Sequence, residues 1–382
     1  MTWFRNAHIL HKNGEFGKSD LLIRNGRIDK IGKYPGKGDS LDCSGLFITP
    51  GLIDAHCHIA IVEDGVGKIG WQENEATEPV TPHLRAIDAI YPDDMALADA
   101  LAAGITSGMI TPGSANLICG TTAVLKFHGK IADEMVVLSP AGMKMALGEN
   151  PFRCYGERDK LPSTRMGNAA LIRETLFSAV NYLKKKNHKK KDKDFDPDFK
   201  MECLIPVIEG RLPVRMHAHR SDDIVTAVRI AKEFNLRLSI EHCTEGHKIA
   251  DFLAENKISC IIGPNISSRE KLELRNRSFA TPYHLFQAGV KFAFMTDHPI
   301  IPIGLLPLCA SLAVKAGLPK DAAYRALTVN SAEICGVSNR IGRLEPGLDA
   351  DFVIWDREPL EFDSLVLSTY INGECVFERK ST

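Results

Sequence analysis

Two histidines close an apolar segment, and their spacing suits them to hold a metal ion. The segment reads Thr49-Pro-Gly-Leu-Ile-Asp-Ala-His-Cys-His58. On a β-strand, residues two apart point to one face, so His56 and His58 can converge on a single cation. Pro50-Gly51 interrupts the chain before the segment, as expected ahead of a buried strand. The alternative is two unrelated surface histidines in a loop.

Three later segments end in the same way, with potential ligands after a short apolar run. Neutral imidazole and carboxylate are ligands that Zn²⁺ and similar divalent ions prefer, and a catalytic site keeps one position open for water. Each histidine taken alone could instead be a core side chain bonded to a backbone carbonyl. Together the segments predict one metal centre. They are Val214-Arg-Met-His217-Ala-His219, Leu238-Ser-Ile-Glu-His242 and Val290-Lys-Phe-Ala-Phe-Met-Thr-Asp297.

Helical segments separate these strands. The alternation predicts an α/β fold, a (β/α)8 TIM-like barrel with its reactive residues at the C-terminal ends of the strands. We expect this metal-dependent catalytic domain to span residues 49–337. The predicted helices are residues 94–103, 169–185, 222–234, 247–256 and 321–335, and further strands are predicted at 105–110 and 258–262.

Both ends of the chain are predicted to form β-hairpins. Short alternating runs surround Asn25-Gly26 and Asn372-Gly373, and Asn-Gly between such runs is a strong hairpin signal. Each end is too small to fold separately. We therefore expect residues 1–48 and 338–382 to form one small, discontinuous β-sandwich domain beside the barrel.

These motifs resemble the amidohydrolase superfamily, in its imidazolonepropionase-related branch. The resemblance covers nearly the whole chain, and it implies a β/α barrel, a small β-sandwich and hydrolysis at an amide-like carbon. It does not specify the substrate. It rests on the run from Pro50 to His58, on His217-Ala, Glu241-His242 and Thr296-Asp297, and on the tail Gly342-Arg-Leu-Glu-Pro-Gly-Leu-Asp-Ala-Asp-Phe-Val353.

The resemblance also implies a ligand set. It assigns His56, His58, His217 and Asp297 to the metal, which we expect to be Zn²⁺. His242 is either a ligand to a second metal or a partner of the substrate.

Two positions leave the number of metals and one ligand open. Lys144 lies where some relatives place a carboxylated lysine that bridges two metals, whereas imidazolonepropionases have a lysine in a similar position and bind one. It could also be a solvated lysine at the barrel rim. His217 and His219 can both face inward by alternation, and His217 is preferred because its motif resembles the His-Ala-x of relatives.

This ligand set predicts hydrolytic chemistry. A divalent ion lowers the pKa of bound water from about 15.7 to about 7, which provides hydroxide as a nucleophile at neutral pH. Asp297 is expected to act as the general base and to pass the proton to the leaving nitrogen. His242 or a second ion would stabilise the oxyanion.

A long polar loop, from Glu149 to Gly167, is expected to contribute to substrate binding. Loops at this barrel face decide specificity, and arginine binds carboxylates through two hydrogen bonds. The candidates are Arg153, Tyr155 and Arg165, together with His219. The alternative for the two arginines is that they pair with Glu149, Glu157 and Asp159 and order the loop.

Composition limits the remaining possibilities. The net charge is −1, and no apolar run approaches the roughly 20 residues of a membrane span, so we expect neither nucleic acid nor membrane as a partner. The N-terminal sequence lacks an export-signal pattern, and the 10 cysteines show no CxxC pairs, which indicates a reducing cytoplasm. The lysine-rich segment 184–193 is expected to be a solvated loop.

Three functions are therefore considered. The first is a hydrolase of a C–N bond in a small amide, lactam or N-acyl/dipeptide substrate, with or without a carboxylate. The second is a deaminase of a small nitrogen heterocycle, and the third is a non-catalytic scaffold. The expected partner is a small-molecule substrate, and a homo-oligomer is compatible with the sequence.

Overall fold

The structure, a computed structural model, describes residues 1–188 and 195–380. Strands from both ends of the chain pair in a single sheet, and the central β5–β14 pair is antiparallel. Both Asn-Gly hairpins are confirmed, with positive φ angles of 50° at Asn25 and 51° at Asn372. The strands are β1 (Thr2–Leu10), β2 (Phe16–Arg24), β3 (Arg27–Gly32), β4 (Ser40–Asp42), β5 (Phe47–Pro50), β14 (Phe352–Trp355), β15 (Val366–Ile371) and β16 (Glu374–Glu378).

The terminal sheet has its own apolar core, which both ends of the chain supply. The ring of Phe4 packs edge-on against Phe352 and Tyr370, with centroids 5.0 and 5.4 Å apart. Leu21, Ile48 and other buried aliphatic residues complete this core. Residues more than 300 positions apart in sequence therefore stabilise one unit, as expected.

The second sheet is a nearly closed barrel of eight strands, which confirms the predicted barrel. Its strands follow one another in chain order, and the first and last lie side by side. Asp54 and Thr296 hydrogen-bond across this closure, with 2.5 Å between Thr296 Oγ1 and Asp54 Oδ2. The strands are β6 (Leu52–Cys57), β7 (Ile105–Ile110), β8 (Ile118–Lys126), β9 (Val136–Ala146), β10 (Val214–Ala218), β11 (Leu238–His242), β12 (Ser259–Ile262) and β13 (Phe292–Phe294).

One strand breaks the regular alternation of the barrel. β8 runs antiparallel to both of its neighbours, β7 and β9, whereas the other hydrogen-bonded neighbours are parallel. A parallel connection needs a crossover of a dozen or more residues. The connection from β7 to β8, residues 111–117, is too short for such a crossover, so β8 runs antiparallel to β7.

Helices surround the barrel, and two sequence predictions about them need correction. Residues 321–335 form two helices, because the backbone at Thr328 is not helical (φ −132°, ψ −90°). The segment predicted as a loop after Lys144 contains a helix, α3. The helices are α1 (Met95–Ala102), α2 (Ala132–Met135), α3 (Glu149–Gly156), α4 (Arg165–His188), α5 (Phe199–Ile208), α6 (Ser221–Glu233), α7 (Ala250–Glu255), α8 (Thr281–Gln287), α9 (Leu306–Lys315), α10 (Lys320–Leu327) and α11 (Val329–Cys335).

Short 3-10 helices lie at Gly67–Gly70, Ala86–Ala89, Gly246–Ile249, Leu272–Leu274 and Ile303–Leu305. Within the described ranges, no helix is both long and apolar enough to cross a bilayer. The first part of the lysine-rich segment, residues 184–188, is the end of α4 rather than a loop. Residues 189–193 of that segment lie outside the described residues.

A buried lysine joins the barrel to the terminal sheet. Lys126, the last residue of β8, donates to Asp349 at 2.9 Å, to Asp351 at 3.0 Å and to Asn372 at 2.5 Å. Because both carboxylates are also buried, the lysine balances charges that water does not reach. This contact fixes the tail of the chain against the barrel wall.

Candidate metal centre

Five histidines and one aspartate meet at the C-terminal end of the barrel. They form two neighbouring triads, within each of which the potential ligand atoms lie within 4.8 Å of one another. The two triads also touch, because the rings of His56 and His242 have centroids 5.2 Å apart. The first triad is His56, His58 and Asp297, and the second is His217, His219 and His242.

The strands place these residues by two different means. His56 and His58, like His217 and His219, are two positions apart and reach the same face through ordinary strand alternation. His242 and Asp297 instead have positive φ angles, of 72° and 57°. This left-handed backbone is uncommon for residues with a side chain, and it marks the ends of β11 and β13 as locally strained.

Backbone carbonyls orient two of the rings. His58 Nδ1 lies 2.7 Å from the carbonyl oxygen of Thr111, and His242 Nδ1 lies 3.1 Å from that of Gly263. A carbonyl can only accept, so Nδ1 carries the proton in both histidines and Nε2 keeps a lone pair. A hydrogen bond from one ring nitrogen to a protein group holds a histidine in the tautomer whose other nitrogen can bind a metal.

The second triad consists of histidines held in the neutral form. Burial, followed by the neighbouring His242 and His219, holds the pKa of His217 well below its usual value. Burial, then Lys271, lowers the pKa of His219 to about 3. Nδ1 of His219 lies 2.8 Å from the hydroxyl of Thr244. Neutral imidazoles are the form that coordinates a cation.

His217 is the clearest sign that a group is to be bound here. Both of its ring nitrogens are buried, and neither has a hydrogen-bond partner among the described residues. A buried polar atom without a partner costs free energy unless something else satisfies it. A divalent cation at this position would be coordinated by one of these nitrogens, so the residues present fit a metal ion.

A buried ion pair lies behind His56. Glu241 Oε2 is 2.6 Å from His56 Nδ1 and 2.7 Å from Lys144 Nζ. Burial opposes ionisation of Glu241, but Lys144 and His56 outweigh it and hold the pKa of this carboxyl below its usual range. Lys144 is fully buried, so it is not a solvated rim lysine. The carboxylate keeps His56 Nε2 pointed at Asp297.

Asp297 lies at the centre of the first triad. Its Oδ1 is 3.1 Å from His56 Nε2 and 3.3 Å from His58 Nε2. Burial opposes its ionisation, but the neighbouring imidazoles of His242, His56 and His58 hold its pKa well below the usual value. The carboxylate is therefore ionised, which is the form that binds a cation.

Sequence reasoning did not assign roles to Glu241, Asp54 or Thr296. Asp54 accepts hydrogen bonds from the backbone and side chain of Thr296, which fixes the residue before Asp297. Burial raises the pKa of Asp54 to about 7 although these hydrogen bonds oppose the shift. Each of the three lies one or two residues before a proposed ligand, and this position in the motif is the signal that the sequence offers for them.

An open cavity of about 540 Å³ lies above the two triads. Its lining includes the exposed apolar side chains of Trp71 and Ile300 and the ammonium group of Lys271. Lys271 donates to Asn150 at 2.6 Å and forms no ion pair with a described carboxylate. Oε2 of Glu73, which also lines the cavity, is buried and has no partner in the described chain. The cavity thus offers both an anchoring cation and an unused acceptor.

The predicted loop residues lie apart from this cavity. Arg153 is exposed on α3, where it pairs with Glu149 at 3.3 Å and Glu157 at 3.5 Å. Tyr155 is buried, and its hydroxyl donates to Asn116 at 2.5 Å. Neither lines the cavity.

Arg165, at the start of α4, is bound to Asp223 at 3.1 Å and also lies outside the cavity lining. Both arginines are thus paired with carboxylates, Arg153 with those of its own segment and Arg165 with Asp223 on α6. His219, the fourth residue predicted to bind substrate, does line the cavity.

Comparison with known proteins agrees with this architecture. The model of the amidohydrolase family matches residues 212–376. A solved amidohydrolase from Thermotoga maritima MSB8 is 45% identical, with a TM-score of 0.96 over 99% of this chain and 100% of that chain. Amidohydrolase tasK of Hapsidospora irregularis is 27% identical over 94% of this chain, which spans only 40% of tasK. Imidazolonepropionase of Klebsiella pneumoniae (strain 342) is 24% identical over 94% of this chain and 93% of its own length. The chain therefore belongs to the amidohydrolase family.

Proposed function

We propose that the protein is a metal-dependent hydrolase that cleaves a C–N bond in a small amide, lactam or N-acyl/dipeptide substrate. The observation that carries this proposal is the position of His217. Its two unpartnered ring nitrogens lie in a cluster of neutral histidines at the floor of an open cavity. A cavity of about 540 Å³ is in the usual range for small-molecule sites.

Each triad would hold one divalent ion, and Zn²⁺ suits a set of imidazoles and one carboxylate. When bound, such an ion acts as a Lewis acid on an amide carbonyl and makes water acidic enough to deprotonate near neutral pH. His242 fits a ligand better than an oxyanion donor, because its Nδ1 proton is already given to Gly263 and its Nε2 carries a lone pair.

Lys144 would act as an ammonium partner of Glu241 and not as a carboxylated bridge. Its Nζ lies 2.7 Å from Glu241 and 3.4 Å from His56 Nδ1, the ring atom that faces away from Asp297. A carbamate there would have to displace the carboxylate contact that orients His56. Metal content of about two ions per chain that does not depend on added bicarbonate would support this arrangement.

Asp297 would move the proton during hydrolysis. Its ionised carboxylate contacts both first-triad histidines and borders the cavity, so it can accept a proton from water at the cavity floor. It can then return that proton to the leaving nitrogen. The Glu241 carboxylate holds His56 in place and takes no part in proton transfer.

The cavity lining favours a substrate that carries both a carboxylate and an N–H donor. Lys271 would bind the carboxylate in place of the arginines predicted from the sequence. The unpartnered Oε2 of Glu73 would accept from an amide or ammonium N–H of the substrate. Replacing Lys271 by Ala should raise KM for N-acyl amino acids and leave KM for their carboxamide analogues unchanged.

The proposal is tested with protein purified without chelator. Its metal content is measured, and hydrolysis is assayed on N-acyl amino acids, dipeptides, cyclic lactams and amino-substituted heterocycles. We expect bound zinc, release of an amine or a ring-opened acid, and almost no turnover in a folded Asp297→Asn variant.

Two results would contradict this proposal. Ammonia as the sole nitrogen product would indicate a deaminase. Protein without metal that hydrolyses no member of the panel would indicate a scaffold.

A further inference from the structure

A second cavity, of about 360 Å³, opens at the opposite, N-terminal end of the barrel. It lies below the starts of β10, β11 and β12, far from the loops that surround the metal centre. Its lining is rich in hydrogen-bond donors: Arg211, Arg215, Arg237, Ser239 and Ser259 all face it.

Arg215 is a buried cation without a matching anion. The residue is only 3% exposed, and its Nε has no partner in the described chain. Its two hydrogen bonds are long, 3.2 Å to Ser239 Oγ and 3.3 Å to the carbonyl of Ala141, and neither acceptor is charged. A buried charge is costly unless it is paired, so this guanidinium lacks a counterion.

The rim of the cavity adds to the positive charge. Arg237 is exposed, and within the described residues it makes only two weak contacts, at 3.4 and 3.5 Å, to backbone carbonyls. Arg211 is partly neutralised by Glu209 at 2.8 Å. Glu333, the carboxylate among the described lining residues, is already bound to Lys291 at 2.5 Å. Two guanidinium groups therefore face the cavity with no carboxylate to balance them.

We propose that this cavity is a binding site for a phosphate-type oxyanion. Arg215 would supply the buried charge at its floor, Arg237 would close over the anion from the rim, and the Ser239 hydroxyl would complete the contacts. Guanidinium groups are well suited to phosphate because their N–H groups match two of its oxygens at once. The site is separate from the substrate cavity, so its occupant is an effector or a structural ion and not the substrate.

The test is calorimetric titration of the metal-loaded protein with orthophosphate, in chloride buffer. We expect one site per chain. Arg237→Ala, an exposed change that should not disturb folding, should weaken binding by about tenfold or more. Arg229→Ala removes an equally exposed arginine from α6 and should bind as the unchanged protein does.

A second variant separates this site from the metal centre. Lys271→Ala removes the cation of the substrate cavity and should leave phosphate binding unchanged. Titration with glycerol phosphate shows whether the site also admits a phosphate group on a larger molecule or only the free anion, and both results support the proposal. The proposal is overturned if no phosphate binds, or if Arg237→Ala binds as tightly as Arg229→Ala.

Discussion

The ion pair behind His56 gives the sharpest test of how the metal centre is built. In Glu241→Leu, the ammonium group of Lys144 loses the carboxylate 2.7 Å away while both positions stay buried. Removing one partner of a buried ion pair destabilises a protein by about 3–5 kcal/mol. The same change removes the acceptor that orients His56, and loss of such a supporting contact weakens metal binding by about 10–100-fold.

A double variant separates these two effects. In Lys144→Met/Glu241→Leu the unbalanced charge is gone, and replacing a buried ion pair by apolar side chains of similar size is often neutral or stabilising. Stability should therefore recover almost completely. Metal affinity should stay low, because His56 Nδ1 still has no carboxylate to bind.

The two quantities are measured independently. Urea unfolding of the metal-free proteins, followed by circular dichroism, gives the loss and recovery of stability. Competition with a coloured chelator gives the zinc affinity. The reasoning is refuted if the double variant regains both stability and metal affinity, because Glu241 would then act through charge balance and not by orienting His56.

Three further predictions concern metal content and the contacts that support the barrel. Chelation should abolish hydrolysis and lower the melting temperature, and added Zn²⁺ should restore both, as followed by activity and calorimetry. Thr296→Val should cost about 1–3 kcal/mol in urea unfolding, because buried Asp54 loses its hydroxyl donor. Lys126→Met should destabilise by about 3–5 kcal/mol at pH 7, since Asp351 is left buried and unpaired. Burial raises the pKa of Asp351, and the loss of the lysine should raise it further. The folded variant then binds a proton that the unfolded chain does not, so its loss of stability in urea unfolding should become smaller as the pH falls towards 5.

The sequence predicted the strand ends well because strand geometry is local. Alternation with period two places His56 with His58, and His217 with His219, whatever surrounds them. The Asn-Gly turns are equally local, since they need only the positive φ that these residues tolerate. Fold class and the positions of the ligand-bearing strands were therefore readable without a structure.

Other features depend on contacts that no single segment contains. The reversal of β8 follows from a short connection whose ends meet only in the barrel. Glu241 was readable only as the residue before a histidine, because its partners Lys144 and His56 lie 97 and 185 positions away. The arginines of the predicted loop do not line the cavity, because each pairs with a nearer carboxylate, Arg153 with one at α3 and Arg165 with one on α6.

The two cavities are connected through the charges of the barrel interior. Arg215 is in register with Lys144 on the neighbouring strand, and it precedes His217 by two residues on β10. Two buried cations therefore lie beneath the two triads, and the charge of Glu241 acts on both of them. Glu241 Oε2 is bound by Lys144 and His56, and Oε1 has no partner in the described chain, so this carboxylate makes no direct contact with Arg215. An anion at the lower cavity would neutralise Arg215 and reduce the positive potential that a cation at the upper triads has to overcome.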